Sequence, residues 1–297
     1  MKAAPTAGNG RAVVVTGASR GIGAVSAVRL SSEGFRVYAA VRAARDADEA
    51  RTLGLIPLRL DLTDAGSIEA AAHQVTADLA DGELYGLVNS AGIVLPAPLE
   101  HMRAADFRHQ LEVGLTGQLV VTQAFLPLLR AARGRIVNVS SVSGRVASPF
   151  IGAYSAAKHG LEGLSDALRR ELRPSGVHVS VVQPGAIATE LPAVLMRDVE
   201  AAYAELPPVA RQHYGDTFLR YGRALAENHA RHGSPPETVA RAVLAALTAR
   251  RPRTRYAVGA QAGSVVTASR LLPDRLLDWL LLRTLERTAA GRSTGRR

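Results

Sequence analysis

The chain has 297 residues, 47% hydrophobic and 21% charged, so it can bury a sizeable core and is not a disordered polymer. It contains no cysteine, which excludes disulfides, thiolate metal sites and a cysteine nucleophile. Its net charge of +10 sits at one end: residues 250–297 hold eleven Arg against three acids, whereas residues 1–249 are nearly balanced, 25 basic to 23 acidic. A near-neutral body without a nucleic-acid motif argues against a nucleic-acid partner. The opening MKAAPTAGNGR has no apolar core of signal-peptide length, and no stretch reaches ~18 uninterrupted apolar residues. The expected setting is cytoplasmic, soluble or peripheral to a membrane.

In chain order, short apolar runs alternate with helical patterns. Arg11–Thr16 reads as a buried strand, followed by a Gly-rich turn and a helix over Gly21–Glu33. Strands are predicted at Phe35–Val41, Leu55–Leu60, Leu84–Asn89, Gly134–Ser140 and Val177–Gln183, with Asp46 and Asp48 in the loop after the second. Helices are predicted at Gly66–Ala80, Ala104–Ala132 and Ala153–Arg173, with Pro127 ending or kinking the second of these. Such alternation means an α/β fold, a doubly wound parallel sheet with helices on both faces. Residues 190–233 are helix-rich and polar. Ser234-Pro235-Pro236-Glu237 reads as a Ser-capped helix start, that helix running to Ala249. Arg255–Val258 is a short last strand, residues 271–287 a last helix, and the residues from Ala289 onward a frayed end. The expected organisation is one domain over 9–260, with 190–233 as a helical flap, and a basic helical extension over 261–297.

The turn Thr16-Gly17-Ala18-Ser19-Arg20-Gly21-Ile22-Gly23 joins the first strand to the first helix. Glycines there permit positive φ and close backbone approach, and a helix N-terminus offers free N–H groups to a pyrophosphate. No Gly-Lys-Ser/Thr follows, so this is not a triphosphate P-loop. The spacing G-x-x-x-G-x-G also differs from the usual dinucleotide fingerprint. The second strand ends in Val41-Arg42, with no carboxylate for a ribose 2′-hydroxyl. Arg20 and Arg42 are either a pair that flanks a 2′-phosphate or two solvated arginines in an Arg-rich chain.

Tyr154 and Lys158 lie four residues apart on one predicted helix and share a face. Lys158 is one of only two lysines, the other being Lys2, in a chain with 36 basic Lys and Arg residues. Bringing a phenol from a pKa of about 10 to about 7 takes roughly 4 kcal/mol, which a nearby ammonium supplies and burial opposes. Ser141 stands 13 residues before Tyr154, at the end of the fifth strand, where a hydroxyl could hold a carbonyl or alcohol oxygen. A surface Tyr–Lys pair is the plain alternative; it leaves the one internal lysine and the Gly-rich turn as coincidences.

With these pieces in place the chain resembles the short-chain dehydrogenase/reductase family over about residues 11–190. The resemblance rests on Thr16–Gly23, Asp61-Leu62-Thr63, Asn89-Ser90-Ala91-Gly92, Ser141, Tyr154-x-x-x-Lys158 and Pro184-Gly185. It implies a Rossmann-like sheet and a catalytic set of Ser141, Tyr154 and Lys158. It implies a pyrophosphate on Gly17, Ser19, Arg20, Gly21, Ile22 and Gly23, and adenine held by Asp61 and Leu62. Asn89, Ala91 and Gly92 would line the cofactor cleft, and Pro184, Gly185, Ile187 and Thr189 would meet the nicotinamide. Lys158 would bind the nicotinamide ribose and lower the pKa of Tyr154. Arg20 and Arg42 resemble the basic pair of NADP-preferring members, so the implied cofactor is NADP(H), with NAD(H) second. A homo-oligomer is implied as well.

The run Ser140–Leu172 is similar to the hydroxysteroid and retinol dehydrogenase branch, which implies a bulky apolar alcohol or carbonyl substrate, steroid-, retinoid- or polyketide-like. One departure matters: the family's long helix supplies an Asn to a proton relay, and Gly114 stands there. Gly114 is the best support for the alternative, a cofactor-binding sensor or scaffold with little turnover. His229 and His232 show no third ligand, and no metal is expected. Leu195, Met196, Tyr203, Leu206, Tyr214, Phe218 and Tyr221 of the flap are either a substrate wall or simple packing. The broad apolar face around Leu276, Leu277, Trp279, Leu280, Leu281 and Leu285, with Arg283 and Arg287 beside it, fits an anionic membrane surface, the domain itself or a second subunit.

Overall fold

A computed structural model describes residues 8–79 and 83–290, with 284–290 through their backbone alone. Seven strands form one parallel sheet: β1 (Ala12–Thr16), β2 (Arg36–Val41), β3 (Ile56–Arg59), β4 (Gly86–Asn89), β5 (Arg135–Val139), β6 (His178–Pro184) and β7 (Arg255–Val258). Their order is β3-β2-β1-β4-β5-β6-β7. The helices are α1 (Gly21–Ser32), α2 (Ala44–Thr52), α3 (Ala65–Asp78), α4 (Ala104–Leu111), α5 (Gly117–Ala131), α6 (Gly152–Glu171), α7 (Leu191–Glu205), α8 (Pro208–His232), α9 (Glu237–Thr248), α10 (Ala262–Leu271) and α11 (Asp274–Ala290). The strand order reverses between β1 and β4, and a crevice opens there at the carboxyl ends of the strands.

Both faces of the sheet are buried, which is why its strands read as unbroken apolar runs rather than alternating ones. Val14, Tyr38, Leu58, Leu87 and Ile136 meet α3, α5 and α6 on one face. Val13, Val15, Val37, Val88 and Val182 meet α1, α2 and α9 on the other. Asp64 caps α3 by accepting from the Gly66 and Ser67 amides at 2.9 and 3.2 Å, worth about 1 kcal/mol.

Several expectations need correction. Asp46 and Asp48 lie on α2, not in a loop; the segment ARDADEART is too polar to show an apolar period and buries only Ala50. Pro127 does not end α5, because Val121, Phe125 and Leu129 hold the helix to the sheet on both sides of it. The break in this long helix falls earlier, as a π turn over Glu112–Thr116 between α4 and α5. The span 104–131 is long and apolar enough by composition to cross a membrane, yet its apolar face is the core contact just described. Ser234 is not a side-chain cap: α9 begins at Glu237 after Pro236. Instead the Ser234 backbone bonds Ala186 and Ala188, at 3.0 and 2.9 Å. Residues 271–287 are not one helix: α10 ends at Leu271 and α11 begins at Asp274, beyond Pro273. Of the end read as frayed, residues 291–297 lie outside the described residues, and α11 runs to Ala290.

Candidate active site

The cofactor end of the crevice is built from backbone. Gly17 (φ +66°) turns the chain out of β1, and a Cβ there would lie 2.7 Å from Ala91 Cα. At Gly23 a Cβ would lie 2.1 Å from the Gly17 carbonyl oxygen. Gly21 (φ +58°) faces open space, with Thr189 Cγ2 nearest at 3.9 Å from a Cβ placed there. Arg20, the residue before α1, makes no side-chain cap, so the first amides of the helix remain available to an anion. Ser19 is half-buried in this turn, and Ile22 lines the main cavity.

Arg42 opens onto a second pocket of about 380 Å³ with Arg59, Asp61, Asp64, Ser67 and Gln74. Arg20 is exposed and is not part of that pocket's wall. Arg59 was not singled out from sequence; its alternation with Asp61 on the end of β3 was the available sign. The Thr63 amide and hydroxyl donate to Asp61 Oδ1 at 2.9 and 2.8 Å. These hydrogen bonds, with Arg42 nearby, hold the Asp61 carboxyl below its usual range. Leu62 is buried, and Gly117 lets α5 close over it, since a Cβ at 117 would lie 2.4 Å from the Leu62 carbonyl oxygen.

The β4 end is moored from below. Thr16 Oγ1 accepts from the Ser90 and Ala91 amides at 3.0 and 3.2 Å. Asn89 donates to Thr122 and Asn138 and is buried, so its side chain ties β4 to α5 and β5. Gln118 donates to the Ala91 carbonyl at 2.9 Å. A Cβ at Gly92 would lie 3.7 Å from Lys158 Nζ, which brings this loop to the second half of the site.

Ser141 leaves β5 in extended backbone; its Oγ accepts from the Ser143 amide at 3.0 Å and its own proton is directed to the Tyr154 oxygen. Tyr154 and Lys158 come from α6, whose Ala153, Ala157 and Leu161 are fully buried. Lys158 is 4% exposed and donates to the Val139 carbonyl at 2.8 Å. Its Nζ lies 5.8 Å from the centre of the Tyr154 ring. Burial pushes the Lys158 ammonium down to about 8, against the pull of Glu162. The expected depression of Tyr154 is reversed: burial raises its phenol above 10, and the hydrogen bond from Ser141 only partly offsets this. In both groups burial is the largest cause, and it disfavours the charged form of each.

Gly114 lies in the π turn, where a Cβ would come 2.9 Å from Ala157 Cβ. Close packing on α6 therefore requires Gly there. The helix irregularity survives without an Asn side chain, and a neighbour clamps the loop: buried Gln110 donates to the Ile93 carbonyl and accepts from the Leu95 amide, each at 2.9 Å.

Ser141 and Tyr154 line a cavity of about 600 Å³, together with Pro184, Gly185, Ile187 and Thr189. Gly185 is fixed against β7 by its amide bond to the Val258 carbonyl, 2.9 Å. Of the flap residues, Leu195 and Tyr221 line the cavity, and burial raises the Tyr221 phenol to about 12. Phe218 and Leu206 instead form a small core with Phe150 and Tyr203, and Tyr214 donates to Glu100 at 2.7 Å. Val265 of α10 and Leu277 and Leu281 of α11 complete the wall, so the extension after residue 260 is part of the cleft.

One crevice thus joins a dinucleotide cradle to a hydroxyl–phenol–ammonium set facing an apolar cavity. That pairing defines an oxidoreductase that works with a nicotinamide dinucleotide on alcohol-bearing carbon. A family model described as short chain dehydrogenase matches residues 11–200, and the chain belongs to that family. It is 37% identical over 268 residues to the 3-amino-tetrahydro-pyrrolizinone reductase of Xenorhabdus hominickii, covering 90% of this chain and 93% of the relative. It is 36% identical over 285 residues to human retinol dehydrogenase 5 (Homo sapiens), covering 93% and 89%. A short chain dehydrogenase from Burkholderia cenocepacia J2315, solved in complex with NADP, superposes with a TM-score of 0.71 at 28% identity, covering 93% of this chain and 99% of that one. The chain falls in the hydroxysteroid and retinol dehydrogenase branch.

Proposed function

We propose that the protein reduces the carbonyl of a bulky apolar substrate with NADPH, and in reverse oxidises the alcohol. The observation that carries this reading is that Ser141 and Tyr154 line a largely apolar cavity of about 600 Å³. The cradle of Gly17, Ser19, Gly21, Ile22 and Gly23 would hold the pyrophosphate. Arg42, and Arg20 from the exposed end of the Gly-rich turn, would hold a 2′-phosphate, and Asp61 and Leu62 the adenine. Ala91, Gly92 and Lys158 would hold the nicotinamide ribose, and Pro184, Gly185, Ile187 and Thr189 the ring. When bound, the cofactor supplies or accepts the hydride.

Ser141 would turn its proton from Tyr154 to the substrate oxygen once substrate is bound. Tyr154, whose phenol burial raises, would hold the proton that the oxygen takes as it becomes an alcohol. The phenolate left behind faces Lys158, which at pH 7 is charged in roughly nine molecules of ten for a pKa near 8. A unit charge about 6 Å away contributes about 3 kcal/mol at an effective dielectric of ~20.

The test is NADPH consumption against ketosteroids, retinal, aliphatic aldehydes and small ketones, with NADH in parallel. Faster turnover of the large apolar carbonyls with NADPH is expected. Binding of NADPH with no turnover on any of them would instead favour the sensor reading.

The same cavity wall bears on where the substrate comes from. While Leu277 and Leu281 of α11 face the cavity, Trp279 and Leu282 are about half exposed, between Arg275 and Arg283. With a net charge of +8 over residues 250–297, this face fits an anionic lipid surface, which would place the substrate wall at the bilayer. The double variant Trp279→Ser/Leu282→Ser should lose co-sedimentation with phosphatidylglycerol vesicles that the parent shows. A parent that stays in solution and sediments as a dimer that the variant breaks would assign the face to a homo-oligomer instead.

A further inference from the structure

Glu162 is a buried carboxylate that the proposed reaction leaves without a task. It lies one turn beyond Lys158 on α6, with its side chain 5% exposed. Three other segments converge on it. Arg255 of β7 donates to Oε2 at 2.9 Å, Arg145 pairs with the same oxygen at 3.1 Å, and Gln183 of β6 donates to Oε1 at 2.8 Å. Arg255 also bridges to Asp166 at 3.0 Å, which in turn accepts from Arg169.

Arg145 belongs to the short turn that begins at Ser141, held by the Gly144 amide on the Ser141 carbonyl (3.0 Å) and the Arg145 amide on the Val142 carbonyl (2.9 Å). That turn is pressed onto α6. A Cβ at Gly144 would lie 3.0 Å from the Lys158 carbonyl oxygen and 3.1 Å from Glu162 Cγ. One carboxylate therefore touches the segment that carries Ser141, belongs to the helix that carries Tyr154 and Lys158, and meets strands β6 and β7.

We propose that Glu162 is a positioning residue for the reaction: its charge keeps Lys158 an ammonium, and through Arg145 it fixes the turn that presents Ser141. This rests on the reading of Lys158 given above. Without Glu162, Arg145 and Arg255 would lose the buried carboxylate they share and Lys158 its nearby negative charge, with Asp166 reaching only Arg255 and Arg169. Guanidinium groups do not give up a proton in proteins, so Lys158 is the group that would. The ammonium facing Tyr154 would then be lost at neutral pH, although no residue touching substrate had changed.

The two lysines of the chain allow a direct test. Protein labelled with 13C at lysine Cε gives two signals, and Lys2 serves as the internal reference. In the parent, the Lys158 signal should titrate near 8. In Glu162→Gln its midpoint should fall by one pH unit or more, and in Glu162→Asp, which keeps the charge, it should stay within about half a unit. Arg145→Gln removes a competing cation and should raise the midpoint; it carries the test if Glu162→Gln does not fold. A midpoint that does not move in Glu162→Gln, or falls in Arg145→Gln, overturns the proposal. Turnover is then measured across pH. Glu162→Gln should move the alkaline limb of kcat/KM to lower pH and recover toward pH 6, whereas a purely structural loss would lower all pH values alike. The titration is read without a substrate, so failure of the reductase reading and failure of this proposal give different results.

Discussion

On the cofactor side of the crevice, backbone shapes the site: Gly17 and Gly23 meet Ala91 and one another with no room for a side chain, and Gly117 lets α5 reach Leu62. On the substrate side, side chains from α7, α8, α10 and α11 form the wall, and none of these helices belongs to the parallel core. Glycine contacts set by strand and helix geometry tolerate almost no substitution. An apolar wall of leucine, valine and tyrosine can change shape at a cost of about 1–3 kcal/mol per contact. In the proposed reading the first side would fix what chemistry is done, and the second what it is done to. Between them, α6 carries Tyr154 and Lys158 and is shared by both.

Perturbing these regions should give separable effects. Lys158→Met should reduce turnover by about 10²–10⁴-fold. It should also stabilise the fold near pH 7. An amine lowered from 10.5 to about 8 binds fewer protons folded than unfolded, so stability rises with pH between those values and a penalty of roughly 3 kcal/mol applies below 8. A melting temperature above the parent's at pH 7, with that gain vanishing near pH 10, checks the sign. Arg42→Ala should weaken NADPH by about 10–100-fold, the value of a charge-assisted hydrogen bond, and NADH by less than about threefold. Equal losses would remove Arg42 from the 2′-phosphate. Leu277→Ser should raise KM for large apolar carbonyls by about 3–10-fold and leave NADPH affinity unchanged. An equal change for small ketones would show that α11 does not face the substrate.

The parallel sheet was readable because strands buried on both faces leave continuous apolar runs, and the cradle because its glycines stand at forced spacings. Tyr154 and Lys158 were readable from a four-residue interval and from the scarcity of lysine. The remainder depends on tertiary contacts that leave no local mark. In α2, eight of nine positions are not buried, so no period appears. The β-branched Val265, Val266 and Thr267 hid α10. That α11 closes the cavity, and that Arg145, Gln183 and Arg255 converge on Glu162, follows only from how distant segments pack. At Gly114 the sequence showed only a missing side chain; the packing of the π turn on Ala157 gives the glycine a steric reason that no local signal carried, and Gln110 clamps the neighbouring loop.

The most direct measurement is Tyr154→Phe, with NADPH binding followed by fluorescence and carbonyl reduction followed on the best substrate of the parent. The phenolic hydroxyl is the only group removed, so the account predicts unchanged NADPH affinity with turnover reduced at least about 10²-fold. Turnover close to the parent's, with binding intact, would contradict it and move the proton donor elsewhere in the cleft.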